Sequence, residues 1–232
     1  MDFFKARGER NYRGQTIEHV CCMLMQREIV EDINPQPDTR DYYGNLPLFY
    51  TVMNNDELNA ATFQHGKNYY HLRNYKQETL FHVAAKHNSV QALETLNKRA
   101  IFFEELIKKD FKGDTPFHLA AKAGALEMMR YLMRSATAPF LSIQNDFGLT
   151  PRDAAKAKMD MLEERRSTAV EPVGERASPL EEKIYLLRVV VEEIDSFDEW
   201  VTQERWDKRF DMPYEEFMKK ADPDLKIFMG FE

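Results

Sequence analysis

One turn signature returns five times along this chain, and it constrains the fold more than any other feature. "NYRGQTIEH" begins at Asn11, "DYYGNLPLF" at Asp41, "NYKQETLFH" at Asn74, "DFKGDTPFH" at Asp110 and "NDFGLTPRD" at Asn145. Successive starts lie 30, 33, 36 and 35 residues apart. That period is the length of one stacked helix–turn–helix unit. Such a unit cannot bury its apolar face alone, so each must cover its neighbour in a solenoid.

Each column of the signature has a physical reason. Asn11, Asp41, Asn74, Asp110 and Asn145 are short polar side chains that hydrogen-bond the local backbone and open a turn. Gly14, Gly44, Gly113 and Gly148 suit a turn position with positive φ, and Gln77 stands there in the third copy. Thr16, Thr79, Thr115 and Thr150 are helix N-caps, and Pro47, Pro116 and Pro151 fit the first helical position. Leu46 breaks the cap column. The small pairs Cys21-Cys22, Ala84-Ala85 and Ala120-Ala121 let two helices approach closely. The first helix of a copy is expected to end at Asn55, Asn88 or Gly124, residues that tolerate the left-handed conformation; Met25 and Met159 hold that place in the first and last copies.

These residues resemble the ankyrin repeat. "GDTPFHLAAKAG" (113–124) lies very near the family's Thr-Pro-Leu-His, Ala-Ala and Gly pattern, and Gly66 stands where the family has a Gly after the second helix. The resemblance is strongest in the third and fourth copies and weakest in the first, where Ile17 replaces Pro. It spans roughly residues 11 to 165. It implies an all-α ankyrin-repeat solenoid of about five repeats with β-turn fingers, here placed at 11–164 after a lead-in of 1–10. It also implies a concave face, built from fingertips and first helices, that binds other proteins.

Chemical readings of the same motif are weaker. His19, His82 and His118 recur at its fourth position, once per copy, whereas a catalyst is needed once; the resemblance implies a hydrogen bond to the neighbouring turn instead. His82 and His87, or His65 and His71, have no Cys or carboxylate cluster to complete a zinc site. Neither GxxxxGK[ST] nor GxGxxG occurs. Cys21 and Cys22 sit in the small-residue column, so packing is their expected role. Without a CxxC, they point to a reducing, intracellular and cytoplasmic setting, with a cytoskeletal, ciliary or nuclear assembly left open. The start has no secretory apolar run, and no membrane span is expected. The net charge is −7. Residues 163–232 carry 19 acidic and 11 basic side chains, a net of −8, against 20 and 21 over 1–162. Neither part holds a basic block, so nucleic acid is not the expected partner. No enzyme activity, cofactor, metal or small-molecule substrate is expected.

The position after each opener is a fingertip. It reads Tyr12, Tyr42, Tyr75, Phe111 and Asp146, followed by Arg13, Tyr43, Lys76, Lys112 and Phe147. Aromatics and Arg dominate interface hot spots. The candidate partner-binding residues are therefore Tyr12, Arg13, Tyr42, Tyr43, Tyr75, Lys76, Phe111, Lys112 and Phe147. The competing reading packs the rings finger against finger. The longer third copy, "NKRAIFFEELIKKD" (97–110), puts Ile101, Phe102, Phe103, Leu106 and Ile107 on a lengthened second helix or loop that buries against the next copy.

The C-terminal third is different in kind. Residues 165–178 read as a linker. Ser178-Pro179-Leu180-Glu181 is a helix start with cap, N1 proline and capping-box Glu. Leu180, Ile184, Leu187, Val191 and Ile194 continue an amphipathic helix over 179–210, expected to dock on the end of the stack rather than pair with another chain. Residues 211–232 are an aromatic–acidic tail. Trp200, Trp206, Phe217, Phe228 and Phe231 are weaker candidate contacts. The function expected is protein–protein interaction, as an intracellular adaptor, scaffold or subunit of a larger assembly. The alternative is a regulatory or inhibitory subunit whose acidic tail enters an enzyme partner's active site.

Overall fold

The computed structural model describes residues 9–26, 39–63, 71–96, 102–135, 138–168 and 178–200. Among them every regular element is helical. In chain order these are α1 (Ile17–Met23), α2 (Pro47–Met53), α3 (Glu57–Thr62), α4 (Leu80–His87), α5 (Val90–Leu96), α6 (Phe102–Leu106), α7 (Pro116–Ala123), α8 (Leu126–Ser135), a 3-10 turn (Ala138–Leu141), α9 (Pro151–Thr168) and α10 (Pro179–Trp200).

The helix starts follow from the cap chemistry. Thr16, Thr79 and Thr115 have extended backbones at the N-cap, and the histidine three residues on reaches back to them. Each Thr backbone N–H donates to that histidine's Nδ1 at 3.2 Å. Leu46 caps α2 with no side-chain hydrogen bond, and its burial takes the place of one. The stops are left-handed: φ is 55° at Met25, 54° at Asn55, 57° at Asn88 and 64° at Gly124. The two asparagines also act across units. Asn55 Oδ1 accepts from Ala92 N at 3.1 Å, and Asn88 Oδ1 from Met128 N at 2.8 Å, tying the end of one unit to the second helix of the next.

The first helices α1, α2, α4, α7 and α9 pack in one row, and α3, α5 and α8 in a second. Cys21-Cys22, Ala84-Ala85 and Ala120-Ala121 are buried among them, beside the fully buried Phe49, Phe81 and Phe117. Burying one such ring stabilises by about 1.5–3 kcal/mol. Phe117 also stacks on Phe140 of the 3-10 turn, with centroids 6.3 Å apart. The long third copy forms the separate short helix α6, with Leu106 buried and Ile107 half-buried; Ile101 lies outside the described residues.

The fifth unit departs from the expected pattern. Its helix α9 does not end at Met159 but runs on to Thr168, four residues into the stretch read as a linker. Met159 packs against the core, and no glycine or asparagine stands there to turn the chain. The late end is capped locally: Ser167 Oγ donates to Glu164 O at 2.7 Å and Thr168 Oγ1 to Arg165 O at 3.0 Å.

Helix α10 begins in a reciprocal cap, with Ser178 N donating to Glu181 Oε2 at 3.1 Å and Glu181 N to Ser178 Oγ at 3.3 Å. It packs on α9, α7, α8 and the 3-10 turn. Ile184, Leu187, Val190 and Ile194 are its buried face, while Leu180, Val191 and Phe197 line the edge. A Cβ at Gly124 would stand 3.2 Å from Leu186 Cβ and 3.4 Å from Leu187 N, so that glycine also admits α10 at close range. Around the rim, Arg130 meets Glu193 at 3.0 Å, Arg188 meets Glu163 at 3.2 Å, and Arg152 pairs with Asp195. The rest of the helix expected to 210, and the tail, lie outside the described residues.

Candidate interaction surface

Five turns share one geometry. The opener's Oδ1 accepts from the backbone N–H two and four residues on: Arg13 and Gln15 for Asn11, Tyr43 and Asn45 for Asp41, Lys76 and Glu78 for Asn74, Lys112 and Asp114 for Asp110, and Phe147 and Leu149 for Asn145, all at 2.8–3.1 Å. The fourth residue has positive φ, 72° at Gly14 and 61° even at Gln77. Neighbouring fingers are then stitched together. The N–H of Tyr42, Tyr75, Phe111 and Asp146 donates to the carbonyl of Arg13, Tyr43, Lys76 and Lys112 at 3.0–3.1 Å.

Two side-chain ladders reinforce the stitching. In the first, the residue just before an opener spans two units. Arg40 Nη1 donates to Gly44 O at 2.7 Å and Arg73 O at 2.6 Å; Arg10 and Arg73 do the same at their turns, and Lys109 Nζ reaches Gln144 O at 2.8 Å. The column Arg10, Arg40, Arg73, Lys109 recurs in the sequence, and its period was the available signal. In the second, His19, His82 and His118 Nε2 lie 3.0, 2.9 and 2.8 Å from the carbonyls of Asn45, Asp114 and Leu149 in the following unit. A Thr N–H can only donate and a carbonyl can only accept, so Nδ1 is bare and Nε2 carries the proton. Burial holds all three rings below the usual imidazole range, His82 at about 4. They are structural pins.

This scaffold holds the candidate residues in a column. Tyr12 is 82% exposed, Tyr42 and Tyr75 66%, Phe147 69%, Tyr43 56% and Phe111 55%. The rings do lean on the previous finger. A Cβ on Gly14 would lie 2.4 Å from Tyr42 Cδ1, and one on Gly44 would lie 2.6 Å from Tyr75 Cδ1. One edge of the ring thus seats on a glycine while more than half of the side chain faces water. Arg13 lies 5.3 Å from the Tyr12 centroid and Lys112 5.5 Å from that of Phe111, so the cations sit with the rings of their own fingers. Phe147 is on the last finger, beside Asp146, which lies over Gly113. Trp200 closes α10, with its side chain outside the description; Trp206, Phe217, Phe228 and Phe231 lie outside the described residues.

The floor below the fingers is polar and ordered. Tyr50 Oη donates to Asp41 Oδ2 at 2.6 Å and accepts from Gln15 Nε2 at 2.7 Å. Lys122 grips Asp114 at 2.6 Å, and Lys86 lies 3.7 Å from Glu78. A cleft of about 300 Å³ opens between the third and fourth fingers and their helices. This lysine-lined floor leaves no single sequence signal, because Lys86 and Lys122 come from helices whose periodicity speaks only to packing. Burial drives both thiols toward the protonated form, Cys22 to about 12, which removes the nucleophile. Among the described residues no group of three His, Cys, Asp or Glu side chains converges as a metal site, and no helix is long and apolar enough to cross a membrane.

Residues 48–145 match the family model of ankyrin repeats, in three copies. The match begins inside the second turn signature and ends on the opener of the fifth. No curated protein matches the chain.

Proposed function

With residues 48–145 being ankyrin repeats, modules that mediate protein–protein interaction, we propose that all five units form one array serving as a non-enzymatic adaptor, scaffold or subunit of a larger assembly. The fingertip aromatics are its primary contact. The observation that carries this reading is the stripe itself: four aromatic side chains in one fingertip column and Tyr43 and Phe147 in the adjoining one, each more than half exposed, on fingers held in register by hydrogen bonds. Isolated exposed apolar residues are ordinary, but a pre-ordered row of rings is costly to leave wet and binds at little entropic cost. Helix α10 closes the last unit in this reading. Trp206, Phe217, Phe228 and Phe231 supply a second contact, supported by the aromatic–acidic composition of their segment. Two buried thiols without a disulfide support a reducing compartment.

The test replaces Tyr42, Tyr75 and Phe111 together by Ala and measures affinity for the partner recovered with the native protein, alongside the melting temperature. The expected outcome is a loss of roughly 100-fold or more, from hot-spot costs near 1–2 kcal/mol each, with little change in melting temperature. Unchanged affinity, or a collapse of the melting temperature, would reject the interface.

A further inference from the structure

The inner face of the stack changes character along its length. Counted from the cap position, the eighth residue of each unit is Met23, Met53, Lys86, Lys122 and Ala157 in chain order, so the lysines belong to the third and fourth units. The fingertips of those two units also carry lysine, Tyr75-Lys76 and Phe111-Lys112, whereas the flanking second and fifth fingertips, Tyr42-Tyr43 and Asp146-Phe147, carry no cation. In the cleft between those two units, Lys76, Lys86, Lys112 and Lys122 stand around the apolar pair Phe111 and Leu119.

The three carboxylates that line the cleft offset most of this charge, but they lie beneath the lysines rather than at the mouth. Glu78, Asp110 and Asp114 are each at most 9% exposed. Asp110 accepts two backbone N–H groups, Glu78 holds Asn74 and Lys86, and Asp114 holds Asn145 and Lys122. Asp146, on the next fingertip, is the exposed carboxylate at the rim. Lys76 and Lys112 are exposed, and the Lys86 side chain is 46% exposed. A chain of net charge −7 thus places Lys76 and Lys112 exposed at the mouth of this cleft, above carboxylates that are buried. Exposed cations of this kind steer and orient an oppositely charged ligand.

We propose that this cleft binds an extended acidic peptide segment of a partner protein. Its carboxylates lie over Lys76, Lys86, Lys112 and Lys122, and an adjoining aromatic or aliphatic side chain packs on Phe111 and Leu119. The proposal rests on the protein-binding reading and names the chemistry of the partner. Packed helices, and so neighbouring units, stand roughly 8–10 Å apart. Alternate side chains of an extended chain point the same way and stand about 7 Å apart. The flexible four-carbon stems of lysine close the remaining gap, so a Glu-x-Glu spacing meets the lysines of two successive units.

Fluorescence anisotropy on the full chain tests it with a dye-labelled peptide carrying Glu at alternate positions and one Phe. The same peptide with Lys for Glu, and a single-stranded oligonucleotide, are the comparisons. The acidic peptide is expected to bind at least tenfold more tightly than either. Its affinity falls several-fold as salt rises from roughly 0.05 to 0.3 M. K76Q/K112Q loses at least tenfold. K86Q/K122Q also loses affinity, but it strips Asp114 of a partner, so the first variant keeps the test independent of folding. Equal binding of the two peptides, an oligonucleotide bound as tightly, or an undiminished K76Q/K112Q overturns the proposal. So does tighter probe binding by E215Q/E216Q, which marks the chain's own acidic segment as occupant. If the triple alanine variant still loses the native partner while the probe fails, this inference falls alone; if that variant keeps its partner, the fingertip reading falls.

Discussion

His82 carries one proton whose place its two partners dictate, and burial of the ring makes that pin pH-sensitive. Unfolded, it titrates near ~6.5; folded, burial brings it to about 4. The unfolded state therefore takes up the proton first. The stabilising contribution is complete above ~6.5 and is lost as pH falls toward about 4, on the order of 3 kcal/mol for this ring. His19 and His118 act with the same sign. Urea midpoints are expected to fall between pH 7 and pH 5, and His82→Ala is expected to lower stability by about 2–4 kcal/mol at pH 7 and to flatten that slope. The turn glycines separate two costs. A Cβ at Gly44, φ 76°, meets the Tyr75 ring and its backbone N at 2.7 Å, whereas one at Gly148, φ 72°, meets nothing within 4 Å. Gly44→Ala is therefore expected to destabilise distinctly more than Gly148→Ala, which carries only the ~1 kcal/mol of left-handed strain, and Gln77→Gly is expected to gain about that much, all read by chemical denaturation. These positions were legible because a turn writes its demand into the residue type: Asn or Asp to open, Gly for φ. The ladder of Arg10, Arg40 and Arg73 shows in the sequence only as a donor column at the repeat period, since its acceptors are backbone carbonyls, which leave no trace in the partner's side chain.

At the scale of helices, α10 is an apolar lid on the last unit, and its burial outweighs its ion pairs. Leu187 is fully buried beside Gly124, so Leu187→Ala is expected to cost about 2–4 kcal/mol in thermal or urea unfolding. Arg188→Ala, which breaks a pair whose side chains are 58% and 36% exposed, is expected to change stability by no more than about 0.5 kcal/mol. The start of α10 could be read from Ser178-Pro179-Leu180-Glu181 because capping chemistry is local. Its buried face could be read only approximately: Val190 and Val191 are equivalent in type, and packing against α9, α7 and α8 chose Val190. The run of α9 past Met159 was hidden for a related reason. The signature says where a helix must stop when Gly or Asn is present, and a methionine there gives no such signal.

Across the whole molecule, no bond described between fingers or pins skips a unit, so stability is a sum of units and shared boundaries. The fold was legible because that sum repeats; the surface was less so, because a partner reads what differs between units. The aromatic column stood out as a recurrence, whereas the lysine cleft emerged only when Lys76 and Lys112 of the fingers met Lys86 and Lys122 of the helices. Three kinds of bond across the boundaries share another property. The finger N–H, the histidine and the arginine all end on main-chain carbonyls of the adjoining unit. A main-chain carbonyl is the same whatever side chain it carries. Through these bonds each unit addresses its neighbour in a grammar that does not ask who the neighbour is, while pairs such as Gln15–Tyr50 and Asn145–Asp114 add terms that do. A lineage carrying such a chain is free to duplicate, drop or exchange whole units, and to rewrite the fingertips one at a time, while the joints stay in force.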